Sequence, residues 1–323
     1  MSARWFLVSC AATAVAVLTA LGPGADAMPD VPPVTAVIPV GSAPSAVAVS
    51  PVTGDVYVTS YSSDSVSVIS GTTNKVIATI PVGSDPWSVA VSGVTGEIYV
   101  TNSGSDTVSV ISGKTNAVID TIPVGSDPEG VAVNQGTAAV YVANSGSNTL
   151  SVIGGYFNLV GTTVPVIADP AAVAVSPVNG NIYVTGYNPG MLQVLKDYTD
   201  AVISTIPASG GGYNSVAVSP VTGEAYVSGG QGSTEYVISN THTPLVTATI
   251  AVGAGPYGVA VNASGTIYLA NRAENTVTLI NGQTNAVTGT VAVGHDPEGV
   301  AVSPQTGDVY VVNEGDDTVS VIG

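Results

Sequence analysis

The sequence predicts an all-β fold, a seven-bladed β-propeller of four-stranded antiparallel blades, on three observations. One phrase, I/V-x-V-G-x-x-P-x-x-V-A-V followed by Y-V and then V-S-V-I, returns seven times, opening at Ile38, Ile80, Ile122, Val164, Ile206, Ile250 and Val291. The spacings of 42, 42, 42, 42, 44 and 41 residues match blade periods of roughly 40 to 45 residues. Composition agrees: 45% of the 323 residues are apolar and only 8% charged, with 38 Gly and 21 Pro, which suits short strands joined by tight turns. The chain ends are also complementary. The seventh copy stops after the V-S-V-I phrase at Ile322-Gly323 and lacks a last strand, whereas segment 34–40 has that strand's pattern and no blade. Pairing them would close the ring and hide two strand edges. Length alone suggests roughly two domains, but one blade cannot bury its faces alone, so the repetition overrides that prior.

Each copy divides into strands A to D. In the second copy these are residues 88–91, 97–101, 107–111 and 117–122. The A–B turn, S-P-V-T-G-D at 50–55, carries Pro and Gly where a hairpin turn favours them. Strand A offers one small residue per copy, from Ala48 and Ala90 to Ala301, as converging inner strands require. One tyrosine per B strand recurs, from Tyr57 and Tyr99 to Tyr310. A residue needed seven times is expected to pack blades together rather than to bind a ligand. Ahead of the ring, residues 1–27 read as an export signal: Arg4, an apolar stretch to Leu21, a Gly-Pro break, then Ala25-Asp26-Ala27. Residues 28–33 read as a short linker and 34–323 as one propeller. The chain is therefore expected in a secreted or cell-envelope compartment. Leu7-Val8-Ser9-Cys10 supplies an alternative, a lipid anchor through Cys10. Once the signal is removed no cysteine remains, so neither disulfides nor thiol chemistry are expected. No later apolar run approaches the ~20 residues of a membrane span.

Tyr99-Val100-Thr101-Asn102, its variants at 141–144 and 57–60, and the I-P-V-G-x-x-P and V-S-V-I phrases together resemble the YVTN-repeat β-propeller family. The resemblance covers essentially all of the chain after the signal. It implies a secreted or periplasmic propeller of the YncE-like type, or a surface-layer component, and a binding scaffold more than a defined enzyme. Blades 3 to 5 depart most: Gly154-Gly155-Tyr156-Phe157 alters a C–D turn, residues 191–195 replace V-S-V-I, and two residues are inserted near His242-Thr243-Pro244.

Alternating strand directions put the D–A and B–C loops on one face. Thirteen acids are assigned there: Asp64, Asp85, Asp106, Asp127, Glu129, Asp169, Glu235, Glu274, Asp296, Glu298, Glu314, Asp316 and Asp317, with Arg272 as the one basic residue. Such a face favours cations or basic partners. A net charge of −17 and the absence of any Lys/Arg stripe disfavour nucleic acid. The position before each A strand should point to the mouth of the central channel, and there the copies differ: Ser45, Trp87, Glu129, Ala171, Asn214, Tyr257 and Glu298. Two aromatic-plus-acid pairs, Trp87 with Glu129 and Tyr257 with Glu298, should face each other across the axis. An aromatic wall beside a carboxylate suits a cationic small ligand or a glycan, so envelope proteins, glycans and cationic ligands are the expected partners.

The enzymatic alternative places Ca²⁺ or Mg²⁺ on Asp127, Glu129, Asp296 and Glu298, helped by Asn102, Asn144, Asn271 and Asn313, for lactonase-like hydrolysis. A structural surface-layer role is the third reading. His242 and His295 fall on opposite faces and form no zinc pair. Gly253-Ala254-Gly255-Pro256-Tyr257-Gly258 matches G-x-G-x-x-G but is a D–A turn leading into a strand, not a nucleotide loop. One tryptophan after the signal supports no quinone cofactor, and no cofactor is expected beyond that weak metal possibility.

Overall fold

The computed structural model describes residues 31–197, 199–207, 212–229 and 232–323. The export-signal reading, Cys10 included, falls outside them. Seven four-stranded antiparallel sheets form, six of them built from consecutive strands. In blade 2 the strands are A, Pro86–Val91; B, Glu97–Asn102; C, Thr107–Ser112; and D, Ala117–Pro123. The seventh sheet takes its outer strand from the start of the ring: Val34–Pro39 pairs antiparallel with Thr318–Ile322, with Ile38 opposite Val319. Val31 and Val34 already pack beside Tyr268 and Val309.

Burial of the B strands along almost their whole length shows where the core lies. In blade 2 Ile98, Tyr99 and Val100 are all buried because the sheet is covered on both faces. The apolar residues gather into seven clusters, each spanning two adjacent blades. Tyr99, Val108 and Val110, for example, pack with Val131, Val133, Val142 and Ile153 of blade 3. A bulge recurs between the last Val and Ile of the C strand, at Val68/Ile69 and Val110/Ile111 among others. It adds twist to the outer strand. The tyrosine expectation is met: Tyr57 donates to Asn116 Oδ1 at 3.3 Å, Tyr99 to Asn158 Oδ1 at 3.0 Å, and Tyr310 to Asn74 Oδ1 at 3.2 Å. Each bond runs from one B strand to the C–D turn of the next blade, the last closing the ring.

A second periodic tie holds the opposite face. Asp64 and Asp106, left-handed residues after the B–C turns, accept the backbone N–H of Asp85 and Asp127 in the following D–A loop, at 2.9 and 2.8 Å. Asn148, Asn275 and Asp317 do the same for Asp169, Asp296 and Ala43. Asp and Asn suit both demands, tolerating positive φ and offering an oxygen. Several acids assigned to an interaction face are thus blade-to-blade ties.

Glu235 requires a correction. It lies in the C strand of blade 5, Thr234–Ile238, not in a loop, and is fully buried. It occupies the position held by Val66, Val108, Leu150, Leu192, Val277 and Val319 in the other blades. The sequence T-E-Y-V-I breaks the V-S-V-I pattern, which hides that register.

Candidate functional site

Mouth residues are positioned by a hydroxyl relay that gives the Thr of Y-V-T-N its purpose. Thr101 Oγ1 accepts the N–H of Ser88 in its own blade at 3.0 Å and donates to the Glu129 carbonyl of the next at 2.6 Å. Thr59 treats Ala46 N–H and the Trp87 carbonyl likewise, and Ser228 treats Ser215 N–H and the Tyr257 carbonyl. Blade 6 has Ala270 there and uses contact instead: a Cβ on Gly258 would lie 2.0 Å from the Glu298 carbonyl oxygen. Inner strands that close fix the backbone from which the mouth side chains project.

All seven variable positions line one cavity of about 390 Å³, within the range of small-ligand sites. Trp87, Glu129, Tyr257 and Glu298 are therefore brought together. Asp169 and the half-exposed Tyr187 complete the wall. Tyr187 was not anticipated, although the departure of Tyr187-Asn188-Pro189-Gly190 from the usual S-G-S-D turn was a signal for it. Trp87 meets the edge of Tyr61, ring centroids 5.7 Å apart at 84°.

Arg272 organises one side of the mouth. From the B–C turn of blade 6 it reaches Glu298 Oε1 at 3.0 Å, lies 3.8 Å from Asp296 Oδ1, and contacts Glu314 Oε2. Its guanidinium carbon is 5.7 Å from the centroid of Tyr257, a cation–π distance. Burial pushes Glu298 up to about 8; Arg272 opposes that, while Glu314 and Asp296, competing for the same guanidinium, add to it. Burial likewise pushes Glu129 up to about 7, a hydrogen bond with Ser145 opposing and the charges of Asp127 and Asp169 reinforcing. Burial also raises the Tyr257 phenol, which stays protonated.

The other acids proposed as metal ligands have defined contacts. Asp127 Oδ2 accepts the Ser145 hydroxyl at 3.1 Å, and Asp296 faces Arg272. Asn102, Asn144, Asn271 and Asn313 are buried struts: Asn102 Nδ2 donates to Thr107 Oγ1 and Ser109 Oγ, both at 3.0 Å, and the others repeat the pattern. They correct the expectation of loop helpers, because the B strand points them into their own blade. Among the described residues no group of three or more His, Cys, Asp or Glu has metal-holding geometry. His295 is bound to Asp316, Nδ1 to Oδ1 at 2.8 Å, and that bond raises the imidazole pKa. His242 lines a separate small cavity with Asn179 and Lys196. No described helix is long and apolar enough to cross a membrane.

Comparison with family models and with curated protein sequences gave no match. A solved chain of Kuenenia stuttgartiensis hydrazine synthase is similar in structure, with a TM-score of 0.79 and 20% identity over 94% of this chain and 99% of that one. At that identity the likeness is one of fold.

Proposed function

We propose that the chain is a non-catalytic binding propeller of the YVTN-repeat type, exported to the cell envelope, which takes its ligand in the channel mouth of the D–A/B–C face. The observation that carries the reading is the coincidence of cavity and variability. Positions that hold the blades together recur in most blades, while the seven mouth positions carry Ser, Trp, Glu, Ala, Asn, Tyr and Glu around one concavity. Aromatic faces, carboxylates and one amide are a recognition set. Glu129 and Glu298 sit in low-dielectric surroundings, where a cationic or hydroxylated ligand gains more from each contact than in water. The acidic composition favours such ligands over nucleic acid. Resemblance to hydrazine synthase lends the fold and nothing of its chemistry.

The test is a thermal-shift screen of the intact chain against amines, oligosaccharides and divalent cations, repeated with Trp87→Ala and Glu129→Gln. A saturable rise in Tm that either substitution removes supports the reading. A panel without any saturable ligand, or ligands indifferent to both substitutions, overturns the mouth as the binding site.

A further inference from the structure

The same seven residues, D-P-E-G-V-A-V, open blade 3 at Asp127 and blade 7 at Asp296. Each copy sets a carboxylate, Glu129 or Glu298, on the wall of the channel-mouth cavity. Each has an aromatic mouth residue on the preceding blade, Trp87 for the first and Tyr257 for the second, lining that cavity too. Around Glu298 the corner is filled by the chain itself. Arg272, first residue of the turn Arg272–Glu274, lies against Tyr257 and binds Glu298, Asp296 and Glu314.

The corresponding turn of blade 2, Ser103–Ser105, begins with Ser103. Its N–H bonds the Asp85 carbonyl at 3.0 Å, just as that of Arg272 bonds Gly255 at 2.8 Å. The two turns therefore sit alike on their D–A loops. Ser103 turns its hydroxyl to the same Asp85 carbonyl at 3.0 Å and is too short to reach across the seam. The charges bearing on Glu129 are Asp127 and Asp169, both acidic, and Ser145 stands where Glu314 stands in the other corner. Lys75, Lys114 and Lys196 belong to C–D segments on the far face. The corner around Glu129 thus keeps the Asp and Glu of the D-P-E-G phrase and an aromatic wall, while the position that supplies the other corner's cation is a serine.

We infer that the corner formed by Trp87, Glu129 and Asp127 is a receptor for a guanidinium group brought by a ligand, either a free alkylguanidine or an arginine side chain of a peptide, which takes the place that Arg272 takes beside Tyr257 and Glu298. Guanidinium suits the corner better than ammonium. It is planar, stacks on an indole face, and offers several donors in a fixed fork to two carboxylates. This rests on the mouth being the binding site, and it adds the chemical class of the ligand.

Calorimetric titration of the intact chain tests it with agmatine, with a glycine-arginine-glycine peptide, and with putrescine as the ammonium control. Agmatine or the peptide should bind one per chain, at least tenfold more tightly than putrescine, and which of the two binds tighter distinguishes a free guanidine from a peptide as the source. Glu129→Gln should weaken binding at least tenfold. Ser103→Arg, which supplies an internal guanidinium as in blade 6, should abolish binding and raise Tm. Arg272→Ser should vacate the second corner and move the stoichiometry from one towards two. Guanidinium binding that survives both Glu129→Gln and Ser103→Arg overturns the inference. So does failure of both guanidines while another class of ligand fills the mouth, an outcome that leaves the binding-propeller reading intact; failure of every class overturns both.

Discussion

Blade 2 and blade 5 carry the same four strands and solve the same packing problem differently. Blade 2 uses the periodic devices: Tyr99 bonded into the next C–D turn, Asp106 tying the next D–A loop, and the Asn102–Ser109 strut inside the sheet. Blade 5 replaces the strut with volume. Gly229 stands for the Asn and Tyr236 for the Ser, and a Cβ on Gly229 would lie 2.8 Å from the Tyr236 ring. Tyr236 in turn meets Tyr213, which replaces the usual Pro, centroids 5.4 Å apart at 78°. The tie on the D–A loop becomes a backbone bond, Gly255 N–H to the Gly232 carbonyl at 3.2 Å. Two costs accompany the change. The altered C–D turn of blade 5 leaves the Tyr183 hydroxyl without a partner, and Glu235 buries a carboxyl whose oxygens both lack one. A repeat thus conserves the seam that must be filled, while the means of filling it can be exchanged.

The largest effect should come from removing what both blades depend on. Deletion of residues 34–39 strips the outer strand from blade 7, exposing the Thr318–Ile322 edge and losing the buried Ile38. At ~1 kcal/mol for each ladder bond and ~2 kcal/mol for the isoleucine, the loss should leave the truncated chain without a cooperative thermal transition when unfolding is followed by circular dichroism. Exchanging one residue between the two blades should come next. Val108→Glu should destabilise by ~3 kcal/mol or more, through a buried carboxyl introduced among apolar neighbours. Glu235→Leu should stabilise by ~1–3 kcal/mol, because it removes unpaired polar atoms. Burial raises the Glu235 pKa well above its ordinary value, so the folded state holds that proton more tightly than the unfolded chain. The group's contribution to stability is then fullest below the ordinary carboxyl range and is lost as pH rises through its raised folded pKa. Urea titrations at a series of pH values should show this decline in the parent and its reduction in Glu235→Leu; an unchanged slope would contradict it.

Smaller effects sharpen the comparison at single bonds. Tyr99→Phe removes the one O–H donor that oxygens of Glu97, Gly155 and Asn158 surround and should cost ~1–2 kcal/mol, whereas Tyr183→Phe discards an unpartnered hydroxyl and should be neutral or slightly stabilising. Equal losses from the two in chemical denaturation would mean that the interblade bond contributes nothing. Asp106→Ala, removing one exposed tie to a backbone N–H, should cost ~1 kcal/mol or less, read as a small shift in denaturation midpoint without a change in slope.

The ring, the blade boundaries and the closing strand could be read from sequence because each is a period or the completion of one. The seven mouth positions were legible for the same reason, as the place where the period fails. What escaped was tertiary. An Asp in a turn looks the same whether it faces water or, like Asp64, caps the neighbouring loop. Glu235 was read as a loop acid because its strand had lost the V-S-V-I phrase that marks register. Arg272 was seen as the lone cation of its face, yet its reach to Glu298 depends on one blade standing beside the next, which no local pattern records. Tyr187 entered the cavity wall through a turn that had changed its sequence, a cue to difference without direction.

The pairing of Val34–Pro39 with Thr318–Ile322 bears on how the molecule is assembled during synthesis. On the ribosome this first strand leaves the exit tunnel before any blade, and its partner emerges after every other strand of the ring. Six blades can stack in order as they appear, each resting on the one before, but the final seam must wait for translation to pass Ile322. Until then the first strand lacks the partner it has in the closed ring. A pause late in the message would therefore hold a nearly complete arc open at both edges, the stage most exposed to strand pairing with a neighbouring copy.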